Sequence, residues 1–279
     1  MTIQFTKMHG LGNDFMVIDA IRQQIDLSPK QIALLAKRDT GVGFDQCLLV
    51  ETSKEKGIDF FYRIFNADGQ EVGQCGNGAR CLARFVFHYG LTTKKRITVA
   101  TCTTKMHLEL HDDQTVTVNM GQPNLVPDAI PLKVKQQAPL YSLPLNDGTL
   151  WQVHALSVGN PHAVSVVKNL AEIAIDRLGK EISEHTLFPE QCNAGFMQLI
   201  STNQIRLRVY ERGCGETQAC GSGAVAAAAI GRLYHQLAPQ IHITLPGGEL
   251  IVDWPDINGP IYLRGPATFV YEGVLMSCV

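Results

Sequence analysis

The chain lacks a basic stripe, a long apolar run and a closely spaced cysteine pair, and each absence removes a class of protein. Its formal charge is -2 and its largest basic cluster is Lys94-Lys95-Arg96, whereas surfaces built for nucleic acid carry a basic excess. No nucleic-acid partner is expected, and those three cations read as a solvated strand entry. No apolar stretch approaches the roughly 20 residues of a membrane span, so no membrane partner is expected either. Met1-Thr2-Ile3-Gln4-Phe5 shows no basic segment followed by a long apolar one, and no signal peptide is readable. A soluble, cytoplasmic protein is the expectation. Of 279 residues, 45% are hydrophobic and 18% charged, a globular mixture that excludes disorder and leaves room for about two domains. Eight cysteines in such a chain read as buried, catalytic or metal-bound rather than as a disulfide framework.

Strand-like and helix-like segments alternate along the chain. β-Branched and aromatic residues in two-residue alternation predict strands at Ile3–Met8, Phe15–Ile18, Cys47–Glu51, Phe60–Asn66, Ile97–Thr101, Met106–Leu110 and Thr115–Met120. Ser28-Pro29 ahead of Gln31–Lys37 predicts a helix with Ser as N-cap and Pro in its first turn. Ala79–Tyr89 and Ala224–Tyr234 read as apolar helices. From Gly121 to Pro144 prolines at 123, 127, 131 and 139 make the text loop-like, a natural domain junction. Strand patterns then resume from Gln152 to Val274.

The second half repeats the first, and this is the most informative feature of the sequence. Gly12-Asn13 matches Gly159-Asn160, and Gln46 matches Asn193, both at an offset of 147. Asp59–Asn66 lies over Gln204–Glu211 at 145, as does Glu71-Val72-Gly73-Gln74-Cys75-Gly76-Asn77-Gly78-Ala79 over Glu216-Thr217-Gln218-Ala219-Cys220-Gly221-Ser222-Gly223-Ala224. Each half therefore supplies one Cys-Gly-x-Gly-Ala turn ahead of an apolar helix. Glycines there let the chain turn sharply and expose amide N–H groups at the helix start. Those donors and the helix dipole favour an anion, and they lower the pKa of a cysteine from about 8.5. Cys75 and Cys220 are thus each placed to act as a base or nucleophile near neutral pH.

Three other readings of these turns compete. The cysteines could be small buried residues, but the whole flanking pattern repeats with them. Cys75/Cys81 and Cys214/Cys220 could hold a metal; six residues on a helix is about 240° of rotation, however, and structural zinc favours two to four intervening residues. Gly221-Ser222-Gly223-Ala224-Val225-Ala226 could begin a dinucleotide site, but ten residues separate it from Tyr210 and the next acidic residue is Glu249. No metal is expected.

Two equal cysteines suit a reaction that is itself nearly symmetric. In racemisation or epimerisation one face of a carbon loses a proton while the opposite face gains one, so two acid/base groups in opposite protonation states are needed. The α-hydrogen of an amino acid is a poor acid. Without a cofactor as electron sink, helix N-termini aimed at the α-carboxylate would stabilise the developing carbanion. No pyridoxal-phosphate lysine motif is present, and no cofactor is expected.

The residues carrying this pattern resemble the diaminopimelate epimerase family. They are Met8-His9-Gly10-Leu11-Gly12-Asn13-Asp14-Phe15, Asn66-Ala67-Asp68-Gly69, Cys75-Gly76-Asn77-Gly78-Ala79-Arg80-Cys81, Gly159-Asn160-Pro161-His162, and Tyr210-Glu211-Arg212-Gly213 through Ala219-Cys220-Gly221-Ser222-Gly223. The resemblance spans essentially the whole chain. It implies interconversion of LL- and meso-diaminopimelate without a cofactor, for lysine and peptidoglycan synthesis. It implies that Cys75 and Cys220 are the acid/base pair, with His162 and Glu211 supporting proton transfer. Asn13, Gln46, Asn66, Asn160, Asn193, Glu211 and Arg212 would contact substrate, and the backbone of Gly76, Asn77, Gly221 and Ser222 would hold the α-carboxylate. Ser222 stands where the family often has Thr and keeps the hydroxyl. A homodimer is implied, with Tyr271 at its interface; an ordinary core tyrosine is the other reading of that residue.

Amide forks read ammonium and carboxylate together, Arg212 can hold a distal carboxylate, and Glu211 can pair with an ammonium. Taken singly, Asn160-Pro161 is also an ordinary turn dipeptide and His162 an ordinary structural histidine. Two rivals remain: a proline racemase, against which Asn66, Asn193, Glu211 and Arg212 argue because proline offers them nothing to read, and a thiol redox or metal-binding module. Cys47, Cys81, Cys102, Cys192, Cys214 and Cys278 are assigned to packing. The fold implied is α+β, two similar domains, each a curved mixed sheet wrapped around a central helix. The expected division is 1–120 plus 266–279 and 121–265, the final strand returning to the first domain, with the site in the cleft between them.

Overall fold

The structure is a computed structural model that describes residues 2–73 and 75–276. Gln74 and Cys278, both used above, lie outside the described residues. The fold is α+β, and the chain divides into two compact units, 1–118 with 265–279 and 119–264.

In the first unit β1 (Ile3–Gly10), β2 (Asn13–Asp19), α1 (Pro29–Leu35), β3 (Gln46–Thr52), β4 (Phe60–Asn66), β5 (Glu71–Val72), α2 (Gly76–His88), β6 (Arg96–Ala100), β7 (Lys105–Leu110) and β8 (Val116–Asn119) follow one another. In the second come β9 (Tyr141–Pro144), β10 (Leu150–Ser157), β11 (Pro161–Val166), α3 (Ile175–Ser183), β12 (Asn193–Ser201), β13 (Gln204–Glu211), β14 (Gly215–Glu216), α4 (Gly221–Tyr234), β15 (Gln240–Leu245), β16 (Gly248–Asp253) and β17 (Tyr262–Gly265). The last strand, β18 (Thr268–Leu275), returns to the first unit and pairs antiparallel with β1.

The repeat seen in the sequence is a repeat of topology. The first unit runs β18-β1-β2-β3-β4-β6-β7-β8, with β5 against β4; only β2/β3 and β4/β6 are parallel. The second runs β9-β10-β11-β12-β13-β15-β16-β17, with β14 against β13; only β11/β12 and β13/β15 are parallel. Parallel neighbours need a crossover, and each crossover carries one helix: α1 and α2 in the first unit, α3 and α4 in the second.

α2 and α4 are the central helices. α2 buries Asn77 through Ala83, and Phe85 and Val86, against β1, β2, β3 and β7. α4 buries every residue from Gly223 to Gly231 and packs against β10, β11, β12, β13 and β16. A helix apolar on all sides has to be enclosed, and burying one leucine-sized side chain stabilises by about 1.5–3 kcal/mol. α1 begins where the sequence placed it: Ser28 and Gln31 form a reciprocal capping box with Pro29 in the first turn. Of the cysteines assigned to packing, Cys47, Cys81 and Cys192 are buried, whereas Cys102 and Cys214 are exposed. Those two stand in loops rather than on a strand or helix, so no sheet face covers them.

Candidate active site

In each unit the central helix starts at a cysteine. Cys75 is the N-cap of α2, with extended backbone, and its Sγ accepts from the Gly78 amide at 3.3 Å. Cys220 is the N-cap of α4, and its Sγ accepts from Gly223 at 3.4 Å. Sulfur thus takes the role that Ser or Asp fills in an ordinary cap. The glycine at the third position is needed for close approach: a Cβ on Gly223 would lie 2.9 Å from Val209 Cγ2 and 3.2 Å from the Cys220 sulfur.

Around Cys75 the β1–β2 turn contributes Asn13. Gly12 makes that turn at φ 92°, and Gly159 makes the equivalent turn of the second unit at φ 97°. The Asn13 Oδ1 lies 3.9 Å from Cys75 Sγ and accepts from Asn77 Nδ2 at 3.2 Å. Asn13 Nδ2 donates to Asp45 Oδ2 at 3.0 Å. On neighbouring strands, Gln46 and Asn66 are register partners of β3 and β4, and Gln46 Nε2 donates to Asn66 Oδ1 at 2.9 Å. Gln46 Oε1 is buried without a hydrogen-bond partner among the described residues, so an acceptor stands ready for a donor. Gly76 opens α2 one residue after the sulfur.

Around Cys220 the partners differ. Asn160 Nδ2 donates to Ser222 Oγ at 3.3 Å, and Ser222 Oγ lies 3.6 Å from the Cys220 sulfur. The fully buried His162 ring has Nε2 3.0 Å from Asn160 Oδ1 and 3.5 Å from Asn193 Nδ2. His162 Nδ1 has no partner among the described residues. A buried N–H without an acceptor is rarer than an acceptor without a donor, which favours the tautomer with Nε2–H donating to Asn160. Burial holds this ring neutral, its pKa lowered to about 3, with nearby Arg212 adding to the effect. Asn193 Oδ1 accepts from the Arg212 amide at 2.9 Å, and the exposed Arg212 side chain donates to Glu190 O at 2.9 Å. Thr217 Oγ1 donates to Glu211 Oε1 at 2.5 Å. Gly221 opens α4.

The electrostatics of Cys220 correct one expectation. A helix N-terminus alone lowers a thiol pKa, but burial pushes that of Cys220 well up and the neighbouring Glu211 carboxylate adds to the rise. The Ser222 hydroxyl and Gly223 amide pull the other way and do not prevail. Cys220 is only 3% exposed, so loss of solvation outweighs two hydrogen bonds. Burial and Glu211 therefore favour the Cys220 thiol over its thiolate.

The first unit thus brings together Cys75, Asn13 and Asn77, with Gln46 and Asn66 paired beside each other on β3 and β4. The second brings together Cys220, Ser222, Asn160, His162, Asn193, Arg212 and Glu211. Tyr271 lies apart, 46% exposed on β18 with its ring edge-on to Phe5 at 6.1 Å, so the core-tyrosine reading is set aside. The sequence reading missed Asp45, adjacent to Gln46, and Thr217, the hydroxyl that positions Glu211.

Comparison with known proteins shows the family. The family model described as diaminopimelate epimerase matches residues 5–126 and 154–270. A diaminopimelate epimerase of Legionella pneumophila subsp. pneumophila strain Philadelphia 1 is 61% identical over 277 residues, covering 99% of this chain and 100% of the relative. Among solved structures, a hydroxyproline epimerase from Agrobacterium vitis superposes with a TM-score of 0.69 at 13% identity, covering 98% of this chain and 92% of that one. A phenazine biosynthesis protein of the PhzF family from Bacillus anthracis does so with 0.68 at 15%, covering 99% and 100%. At such identities these two speak for the fold alone. With its family model matched over most of its length and a 61% identical full-length relative, the chain belongs to the diaminopimelate epimerase family and is an amino-acid epimerase.

Proposed function

We propose that the protein interconverts LL- and meso-2,6-diaminopimelate by a two-base mechanism in which Cys75 and Cys220 are the acid/base pair. The observation that carries this reading is the equivalence of the two cysteines. Each caps the central helix of one repeat and accepts from the third amide of that helix. In the forward direction a thiolate removes the α-proton from one face of the carbon and a thiol delivers a proton to the other. The reverse reaction exchanges the two roles. The amides of Gly76, Asn77, Gly221 and Ser222 open the two helices, where N–H groups lack intrahelical partners. They are proposed to hold the α-carboxylate and the charge that develops as the proton leaves.

Asn66, Asn193, Glu211 and Arg212 read the second amino-acid head of the substrate, and Asn13, Gln46 and Asn160 are further substrate contacts. Asn66, Asn160, Asn193, Gln46 and Asn13 offer amide donors and acceptors, Arg212 a guanidinium, and Glu211 a carboxylate. Glu211 raises the proton affinity of Cys220, and in this scheme Glu211 and the neutral His162 support proton transfer. A substrate with one head leaves Asn66, Asn193, Glu211 and Arg212 unpaired, which supports diaminopimelate over proline. No electron-sink cofactor is required by this scheme, and the reaction would serve lysine and peptidoglycan synthesis in the cytoplasm. A homodimer through β18 is part of the proposal, supported by exposed Val270, Tyr271 and Val274 on that strand.

The test is conversion of the LL substrate to meso in deuterium oxide, with and without iodoacetamide. Solvent deuterium should enter the α-position, alkylation should stop it, and dialysis against a chelator should not. Replacing Cys75 or Cys220 by Ala should abolish turnover while leaving the thermal unfolding transition in place. Near-normal turnover in either variant refutes the pair. Turnover of proline but not of diaminopimelate would favour the racemase reading instead.

A further inference from the structure

We propose that Asp45 is a positioning residue that locks the Asn13 side-chain amide with its oxygen toward Cys75. The proposal rests on the reading of Cys75 as an acid/base residue and adds to it a residue which that reading does not assign.

A carboxylate only accepts, so the Asn13 atom held 3.0 Å from Asp45 Oδ2 is the amide nitrogen. The oxygen of the same amide is thereby left facing Cys75 Sγ at 3.9 Å and Asn77 Nδ2 at 3.2 Å. The same Asp45 oxygen accepts from the Asp14 amide at 3.0 Å, and its other oxygen accepts from Arg38 Nη2 at 2.7 Å. The Asp45 amide in turn donates to Asp14 Oδ1 at 2.9 Å. Asp14 is fixed by Arg38 at 2.9 Å and by Lys7 at 2.7 Å, Lys7 being almost completely buried. Three charged residues, Arg38, Asp14 and, through Asp14, Lys7, thus hold one carboxylate in place, and that carboxylate fixes one amide.

The equivalent asparagine of the second unit is held the other way round. His162 engages the oxygen of Asn160, and its nitrogen points to Ser222 beside Cys220. One asparagine therefore presents an acceptor to its sulfur and the other a donor to the hydroxyl next to its sulfur. A pair of asparagines free to flip would offer the same face on both sides. The lock by Asp45 makes Asn13 a reader of hydrogen-bond donors: the Cys75 thiol proton or an N–H of the substrate.

The experiment compares Asp45→Ala, Asp45→Asn, Arg38→Gln and Asn13→Ala for kcat, KM and thermal unfolding. Asp45→Asn keeps an oxygen able to accept from Asn13 and Asp14 while losing the charge. The kcat/KM of Asp45→Ala is expected to fall about 10–100-fold, the range that removing a supporting partner of a metal ligand produces in metal sites. Asp45→Asn and Arg38→Gln are expected to stay within about threefold, the size of a lost surface ion pair. An Asp45→Ala enzyme within threefold of the parent overturns the proposal. So does an Asp45→Asn enzyme as impaired as Asp45→Ala, since charge rather than amide orientation would then matter. If Asp45→Ala does not fold, Asp45→Leu, which likewise cannot accept from Asn13, takes its place in both comparisons, and a folded Asp45→Leu enzyme within threefold of the parent overturns the proposal. An Asn13→Ala enzyme of full activity would instead sink the underlying reading of Asn13 as a site residue.

Discussion

At the scale of single residues, the two cysteines occupy the same backbone position and differ in what surrounds them. Cys75 has the Asn13 amide oxygen 3.9 Å away and interacts electrostatically with the buried Arg80 guanidinium, whereas Cys220 sits beside the Glu211 carboxylate, which raises its pKa on top of the effect of burial. Removing that charge should reverse part of the rise. In Glu211→Gln, alkylation of Cys220 by iodoacetamide should begin at lower pH than in the parent, with the labelled peptide followed by mass spectrometry across a pH series. An unchanged or higher midpoint would show that Glu211 does not govern the thiol. Isosteric replacement leaves Thr217 able to hydrogen-bond position 211, so the geometry is preserved while the charge is lost.

At the scale of elements, the third-position glycine of the second turn, Gly223, links strand packing to sulfur chemistry, whereas a Cβ on Gly78 would meet Leu48 and Phe15 at an ordinary 3.4 Å. Gly223→Ala drives a methyl group into Val209 and the Cys220 sulfur, and overpacking of this kind costs about 1–3 kcal/mol. Denaturant unfolding should show the loss, and turnover should fall with it because the cap geometry is disturbed. Gly69→Ala should be more damaging to stability: the residue has φ 84° and a Cβ there would lie 2.1 Å from Pro29 O. Most strands and the capped start of α1 were legible, because β-branched alternation and the Ser-Pro pair are local signals. The starts of α2 and α4 were placed three residues late, since Gly-x-Gly has low helix propensity and only the packing of the whole element makes it helical. β9 hid in a proline-rich stretch, and α3 has Ala174 as an N-cap that makes no side-chain hydrogen bond, so neither announced itself. The turns bearing Cys75 and Cys220 could be read because they occur twice. Asp45 could not, because its task is defined by Asn13, 32 residues away, and no spacing rule joins them.

At the scale of the whole molecule, several protonation equilibria favour the folded state in the same direction. Burial lowers the pKa of His162 to about 3 and also lowers those of His154 and His235. Each is therefore neutral when folded but takes up a proton below about 6.5 when unfolded, so stability is lost as pH falls through that range. Asp14 adds a second step. Burial opposes ionisation, yet hydrogen bonds from Arg38 and Lys7 hold its pKa below the ordinary carboxylate range. Its contribution is present above about pH 4 and disappears on further acidification. Thermal unfolding midpoints should decline from pH 7 to 5 and more steeply below 4. A flat profile over that whole interval would contradict both contributions.

β18 gives the molecule a direction in time. The partner of β1 is encoded after the entire second unit, so on the ribosome the second repeat has all of its strands while the first still carries an open edge along Ile3–His9. An unpaired edge is a template for association with other chains. Early release of a chain ending at Gly265 should therefore yield a product that clumps, whereas supplying residues 266–279 as a separate peptide should restore its solubility.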